Sequence, residues 1–495
     1  MSASPRYWIE TFGCQMNVHD SQRMEDALVS HGWVAADGEQ DADLIVFNTC
    51  SVREKAEHKL RSEVGRLRPL KRSRPDLVVA VAGCVAQQEG EKLLSSIRHV
   101  DVVVGPDNLA ELPVLADTIR MGAPPVARTV FDVDKPTFLV ASPSAERGVT
   151  AYVTTMKGCD ERCSFCVVPY TRGPERYRSM DEIVAEVSAL VSRGVREVTL
   201  LGQTVNSWMP PDAIDASTSS HDQSPSMRAS TSDFAVLLRA IAREVPGLGR
   251  LRYTSPHPRH LIPELIDAHA ELPVLARHLH LPVQSGSNRL LKRMIRRYTR
   301  EAYLERVNAL RARVPGLTLS TDIIVGFPGE TDDDFQETLS LVREAGFVAA
   351  FGFKFSPRPF TPALKLADDV PEEVKDARLA ALFAAVEEQQ KRHLESLVGS
   401  EVEVLVEGES RPSQTRVAKI PTRVMGRSER NEIVHLDVAE GRDPSPLVGR
   451  FFRARVVRAN AHSLQGELRE DDVRDLPLAT EKPKGRRSLQ ILAES

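Results

Sequence analysis

Along the first quarter of the chain, short apolar runs alternate with longer stretches of mixed polarity. Tyr7 to Gly13 reads as a strand ending at Cys14, and Asp20 to His31 follows as a polar amphipathic stretch. Leu44 to Asn48 is an apolar strand running through Thr49 into Cys50, with a charged helix expected from Val52 to about Lys71. Leu77 to Ala82 repeats the unit, ending in Gly83-Cys84 before a helix expected over Ala86 to Ile97, and Asp101 to Gly105 supplies a fourth strand. Runs apolar on both faces, alternating with helices, indicate a parallel sheet covered on both sides. In such sheets the ligand crevice lies beyond the carboxyl ends of the strands. Cys14, Cys50 and Cys84 each fall just past such an end. One cysteine there would read as a small buried hydrophobe, but three at the same topological place point to a shared site.

Pro124 to about Arg147 reads as a linker that contains a possible short strand at Arg128 to Val133. From Ala151 the alternation resumes on a larger scale. Strands are expected at Tyr152–Lys157, Glu197–Leu201, Leu251–Thr254, His278–Val283, Thr318–Val325 and Ala349–Phe355. Helices are expected at Met180–Arg193, Phe234–Val245, Arg300–Val314 and Asp333–Ala345. Six such units suggest a partial (β/α)6 barrel with its site at the carboxyl end of the strands. A Pro, Ser, Asp and Thr tract at 209–232 cannot bury a core and reads as a disordered insertion. A long charged helix, about Pro371 to Leu397, leads to short strands at Glu401–Val406, Ile433–Val438 and Phe451–Ala459, the mark of a small β-barrel. Arginines concentrate there, from Arg416 and Lys419 to Arg458, beside Phe451 and Phe452. The expected fold class is therefore α/β and multidomain: a flavodoxin-like parallel-sheet domain (5–122), a half-barrel core (145–390), a small β-barrel (394–466) and a disordered tail (467–495).

The length of 495 residues agrees with about three domains. A net charge of −4, from 65 basic and 69 acidic side chains, excludes a wholly basic chain that coats nucleic acid without selectivity. No run approaches the roughly 18 apolar residues of a membrane span, and the start lacks a secretory pattern, so a soluble cytoplasmic protein is expected. Six cysteines in a long cytoplasmic chain point to metal ligation or catalysis rather than disulfides.

The other three cysteines form a Cys-x-x-x-Cys-x-x-Cys run, Cys159, Cys163 and Cys166, just after a strand. Three thiolates on one loop suit three irons of a four-iron cluster. Structural zinc would need a fourth ligand, and the next residues offer neither Cys nor His. A cluster with three protein ligands leaves one iron open to chelate the amino and carboxylate groups of S-adenosylmethionine (SAM).

On these residues the chain resembles the radical SAM superfamily. Thr11-Phe12-Gly13-Cys14-Gln15-Met16-Asn17, Asn48-Thr49-Cys50-Ser51-Val52-Arg53 and Ala82-Gly83-Cys84 resemble the N-terminal cysteine motifs of the methylthiotransferases. So do Cys166 to Gly173, Leu200 to Ser207, His280 to Ser287 and Thr321 to Glu330, and the combination is most similar to the MiaB-type tRNA branch. One departure is Thr204, where that branch more often has Asn, and another is the 209–232 insertion. Neither is expected to touch a cluster ligand.

The resemblance implies two [4Fe-4S] clusters: Cys159, Cys163 and Cys166 would hold the radical-generating one, and Cys14, Cys50 and Cys84 a sulfur-carrying auxiliary one. It implies two SAM molecules per turnover, a flavodoxin- or ferredoxin-type electron donor, and methylthiolation of carbon 2 of N6-isopentenyladenosine beside the anticodon in a tRNA stem-loop. It makes the C-terminal barrel an RNA-binding TRAM domain, with Arg423, Arg427, Arg453 and Arg455 meeting phosphate, a contact that positions RNA without selecting a base. A solvated basic face would look the same in composition. Gly202, Gln203, Asn206, Gln284, Ser285 and Asp322 lie at strand ends and could contact SAM or serve as turns and caps. His257 reads as a structural hydrogen-bonder, and Arg293, Arg296, Arg297 and Arg300 as a solvated helix face. The rival readings are a sister methylthiotransferase acting on threonylcarbamoyladenosine or a ribosomal protein, a non-catalytic iron–sulfur RNA-binding sensor, and a zinc-stabilised RNA-binding protein.

Overall fold

A computed structural model of the chain describes residues 4–51, 54–133, 136–140, 148–211, 232–410, 423–439, 442–474 and 476–478. The expected insertion at 209–232, the start of the 52–71 helix, Arg416, Lys419 and most of the C-terminal tail lie largely or wholly outside these residues.

The first domain is a six-stranded parallel sheet of β1 (Arg6–Phe12), β2 (Val34–Ala35), β3 (Leu44–Thr49), β4 (Val78–Gly83), β5 (Val102–Val104) and β6 (Val126–Arg128), in the order β2-β1-β3-β4-β5-β6. Helices α1 (Gln15–Ser30), α2 (Glu54–Arg66), α3 (Arg68–Ser73), α4 (Cys84–Glu89), α5 (Glu91–Ser96) and α6 (Leu112–Arg120) connect the strands. Every residue of β3 and β4 is buried, because the sheet has a core on each face. Leu44, Val46 and Val78 pack on one side with Met24 and Leu28, and Ile45, Phe47 and Val79 on the other with Leu60 and Val64. That is why these strands read as unbroken apolar runs, each full burial of a Leu or Ile contributing about 1.5–3 kcal/mol. The helix expected over 86–97 is two helices, broken where Gly90 takes φ +52°.

The core holds six parallel strands in two three-stranded sheets, β7-β10-β11 and β12-β13-β14: β7 (Thr150–Thr154), then, past the short strands β8 (Met156–Lys157) and β9 (Arg176–Tyr177), β10 (Glu197–Leu201), β11 (Arg250–Tyr253), β12 (His278–His280), β13 (Thr318–Val325) and β14 (Ala349–Lys354). Helix α8 (Met180–Ser192), with further helices at Asp233–Glu244, Pro263–Glu271, Arg300–Arg313 and Asp332–Ala345, covers its outer side, while the short α7 (Val168–Thr171) lies against α4 of the first domain. The expected partial barrel is present, with two strands differing from their apolar runs: the run at 152–157 breaks into β7 and β8, the latter antiparallel to β9, and β12 stops at His280, because Pro282 has no N–H and Gln284 turns the chain at φ +77°.

The helix Glu372–Ser396 leads into a closed barrel of β15 (Glu401–Glu409), β16 (Arg423–Ser428), β17 (Ile433–Asp437), β18 (Phe451–Ala459) and β19 (Leu464–Glu467). Two of these strands, β16 and β19, were not expected, since arginine, glycine and glutamine hide their alternation. The ordered barrel also runs past the expected boundary at 466: Glu470–Val473 forms a helical turn and Leu476 is buried in the barrel core. The barrel docks on the amino ends of β10 and β11. There Arg250 and Arg252 pair with Glu197 at 3.1 and 2.9 Å and donate to the carbonyls of Arg427 and Ser428. No helix among the described residues is long and apolar enough to cross a membrane.

Candidate functional site

The sheet register makes the first cysteine triad. Phe12 pairs with Thr49 and Thr49 with Gly83, so Cys14, Cys50 and Cys84 leave three adjacent strands at the same level. The chain can turn there only because two residues lack a Cβ. One on Gly13 would stand 2.8 Å from the Cys50 Cβ, and one on Gly83, at φ +91°, would stand 2.3 Å from Asn48 Oδ1. Asn48 and Asn17, buried beneath, tie the turns together through a 3.1 Å amide contact and a 2.8 Å bond to the Asn17 carbonyl. A hydrogen bond from Cys50 pulls the Cys14 thiol down to about 6, aided by the Arg172 charge and opposed by burial. Burial pushes Cys84 up, against the pull of Arg172.

The second triad lies on the loop after β8. Gly158, at φ +82°, is required because a Cβ would collide with the Pro174 carbonyl. Cys159 is held by the Gly173 carbonyl (3.2 Å) and meets the Thr204 hydroxyl at 3.0 Å. Cys163 accepts from Arg296 Nη1 at 3.4 Å. Burial pushes Cys159 up to about 11, and burial with the neighbouring Cys163 and Cys159 pushes Cys166 higher still.

Two of these contacts correct the reading of the sequence. Thr204 does touch a cysteine of the triad, so the departure from the family's usual Asn falls at the site. Arg296 is not on a solvated face: its side chain is buried, holding the Pro282 carbonyl at 3.0 Å as well as Cys163. The only sequence signal for it was an arginine run, which says nothing of direction.

Among the six strand-end residues, Gln203 stands out, because both its amide atoms are buried without a partner. Asn206 is engaged, bonding the backbone N–H and carbonyl of His257 at 2.8 and 3.0 Å. Ser285 is fully buried and accepts from the Ser287 N–H at 3.2 Å. Gln284 bridges β13 through its backbone, bonding Asp322 and Ile324, and Gly202 lies against Met156. Asp322 is 3.3 Å from His280 Nε2.

His257 is buried and neutral, driven down by burial and by Arg296, His260, Arg259 and Arg297, and its Nε2 has no partner. It faces Glu161, which bonds His260 (2.8 Å) and Arg259 (3.0 Å). These three residues, Glu161, His257 and His260, are the one group among the described residues with three donor atoms all within 4.8 Å. Neither cysteine triad is that tight. A single zinc ion with bonds near 2.3 Å would draw its sulfurs to about 3.8 Å apart, whereas a four-iron cluster spans more widely separated sulfurs, so the donor sets fit clusters.

The two triads belong to different domains, joined by buried ion pairs. Arg172 meets Asp20 at 2.6 Å, Arg23 and Arg178 share Glu186 at 2.7 and 2.6 Å, and Arg176 with Lys157 pairs with Asp107. On the small barrel, Arg453 and Arg455 stand exposed on β18, while Arg423 pairs with Asp437 at 2.6 Å and Arg427 lies 3.6 Å from Glu407.

Comparison with known proteins accords with this geometry. Residues 6–105 match uncharacterized protein family UPF0004, residues 153–342 the radical SAM superfamily, and residues 395–468 the TRAM domain. The chain is 60% identical over 474 residues to a tRNA-2-methylthio-N(6)-dimethylallyladenosine synthase of Sorangium cellulosum (strain So ce56), covering 94% of each chain. It is 44% identical over 465 residues to the protein of that name from Burkholderia mallei (strain SAVP1), covering 94% of this chain and 97% of that one. In fold it is similar to the radical S-adenosylmethionine methyltransferase TsrM from Kitasatospora setae, solved with cobalamin and a [4Fe-4S] cluster. The TM-score is 0.50 at 17% identity, over 73% of this chain and 77% of that one.

Proposed function

The chain belongs to the tRNA-2-methylthio-N(6)-dimethylallyladenosine synthase family of the radical SAM superfamily, and on that premise we propose how its own residues divide the work. It is a transferase that places a methylthio group on carbon 2 of N6-isopentenyladenosine in tRNA, using SAM and two [4Fe-4S] clusters. The observation that carries the division is the pair of cysteine triads, one at three adjacent strand ends and one on a single loop, joined where α7, just after Cys166, packs on α4, which begins with Cys84.

Cys159, Cys163 and Cys166 would hold the radical-generating cluster, and Cys14, Cys50 and Cys84 the auxiliary one. When bound, these groups with SAM supply one-electron chemistry at a non-acidic C–H bond that acid–base side chains cannot reach. The protein's part is positioning. Arg296 donates to Cys163 and the Thr204 hydroxyl shares a hydrogen bond with Cys159, which would hold two sulfurs of the loop in one orientation. Gln203 offers a carbonyl and an amide, both unused within the protein, to the polar end of SAM. Asp322, inside β13 and 3.3 Å from His280, is a second contact, while Gly202 and the backbone of Gln284 shape the floor. Asn206 and Ser285 act as ties that hold the loops.

RNA contact falls to Arg453 and Arg455, which stand exposed on β18, whereas Arg423 and Arg427 are drawn into ion pairs with Asp437 and Glu407. A flavodoxin- or ferredoxin-type protein delivers the electron, and the work is done in the cytoplasm, where tRNA is modified. Recognition of an anticodon-loop base is physically economical, since an unpaired base can be splayed out at little cost.

The test is mass spectrometry of tRNA nucleosides from a host lacking its own such enzyme, with and without this chain. Conversion of isopentenyladenosine to its 2-methylthio form is expected. Persistence of isopentenyladenosine despite full iron loading and a working reductant would overturn the substrate assignment. Cys159→Ala should abolish SAM cleavage, whereas Cys50→Ala should leave cleavage intact and stop methylthiolation. Product from Cys50→Ala would end the two-cluster division of labour.

A further inference from the structure

Arg172 follows the radical-loop cysteines by six residues, yet its guanidinium does not serve that loop. The short helix α7 carries it across the domain junction, where α7 packs against α4, the helix that begins with Cys84. Its side chain is 4% exposed. There it meets Asp20 at 2.6 Å on α1, the helix that Cys14 caps, and from that place its charge acts on both Cys14 and Cys84. Its own backbone carbonyl is clamped by Arg176 Nη2 at 2.6 Å. A cation so placed belongs by sequence to one cysteine triad and by contact to the other.

We propose that Arg172 is a positioning residue that sets the reduction potential of the auxiliary cluster and ties it mechanically to the radical-SAM loop. The inference rests on the reading that Cys14, Cys50 and Cys84 hold that cluster. Its physics is electrostatic. Adding an electron makes a thiolate-bound cluster more negative, and a buried cation at the end of the sheet that carries its cysteines stabilises that reduced form. Asp20, 2.6 Å from the guanidinium, offsets part of the positive charge. The Arg172–Asp20 pair thus makes opposite predictions for its two members. Removing Arg172 disfavours reduction, and removing the Asp20 charge favours it. A role confined to packing would give no such opposition in sign.

The experiment uses the full chain carrying Cys159→Ala, Cys163→Ala and Cys166→Ala, so that the auxiliary cluster is alone, reconstituted with iron and sulfide. Its midpoint potential is read by an EPR-monitored redox titration in this parent and after adding Arg172→Gln, Arg172→Lys or Asp20→Asn. The expected order is Arg172→Gln below the parent, Arg172→Lys near it, and Asp20→Asn above it. Equal potentials in parent, Arg172→Gln and Asp20→Asn at equal iron content would overturn the proposal. So would a shift of Arg172→Gln and Asp20→Asn in the same direction, which marks lost packing. If Arg172→Gln fails to hold iron, the upward shift of Asp20→Asn decides, its absence counting against the proposal. A parent that holds no iron would instead remove the ligand reading, and the proposal with it.

Discussion

Glu186 is a carboxylate shared by two buried guanidiniums, one from each side of the domain junction. Arg23 Nη2 reaches its Oε1 at 2.7 Å and Arg178 Nη1 its Oε2 at 2.6 Å, with all three side chains 2–3% exposed. Glu186→Gln keeps the volume but leaves one amide oxygen for two cations and turns an NH2 toward the other guanidinium. Arg23 retains Asp26 at 3.2 Å, while Arg178 keeps only carbonyl acceptors, among them Thr154 at 3.0 Å. Breaking a buried pair by removing one charge destabilises by about 3–5 kcal/mol, which corresponds to roughly a hundredfold to a few thousandfold in the equilibrium that holds the domains together. Amide exchange in α1 and β7, which face each other across this junction, should accelerate by that factor, while exchange in the small barrel stays unchanged. Because Arg178→Met removes the group left facing an amide, Arg178→Met/Glu186→Gln should lose less than the sum of the two single changes. Exchange in α1 within about threefold of the parent would show that the junction does not depend on this charge, and the reasoning would fail.

Two other perturbations have defined outcomes. Gly83→Ala forces a side chain onto φ +91° and against Asn48, so it should cost about 1–3 kcal/mol and strip iron from the first triad while SAM cleavage at the second persists; iron analysis with a cleavage assay checks it. Burial lowers His269 from its ordinary 6.5 to about 4, with the Tyr253 hydroxyl bonded to its Nε2 at 2.6 Å. The unfolded chain therefore takes up this proton as pH falls through about 6.5 and the folded one only near 4, so stability is present above that window and declines through it. The loss between about pH 7 and pH 5 should be about 2 kcal/mol by urea unfolding, and His269→Gln, which still accepts from Tyr253, should abolish that part of the slope.

Much of the molecule is determined by local pattern. The unbroken apolar runs at 44–49 and 78–83 can satisfy both faces only inside a parallel sheet, and strand ends then place Cys14, Cys50 and Cys84 on one rim. The Cys159–Cys166 spacing is a property of one loop and needs no tertiary information. Strands β16 and β19 were not legible, because a small barrel tolerates arginine, glycine and glutamine on its open face and the inward positions are too few to make a pattern.

What only the tertiary structure decided is where long polar side chains end. An arginine reaches several ångströms in a direction that sequence spacing does not encode, so Arg296 read as solvent-facing and is found against Cys163, while Arg172 reaches Asp20, 152 residues before it in the chain. Thr204 likewise looked incidental until the fold of two strand ends set its hydroxyl 3.0 Å from Cys159. Which cysteines cluster follows from hydrophobic burial along each strand. Which charges surround them follows from how two separately folded domains meet, and no single segment of the chain contains that information.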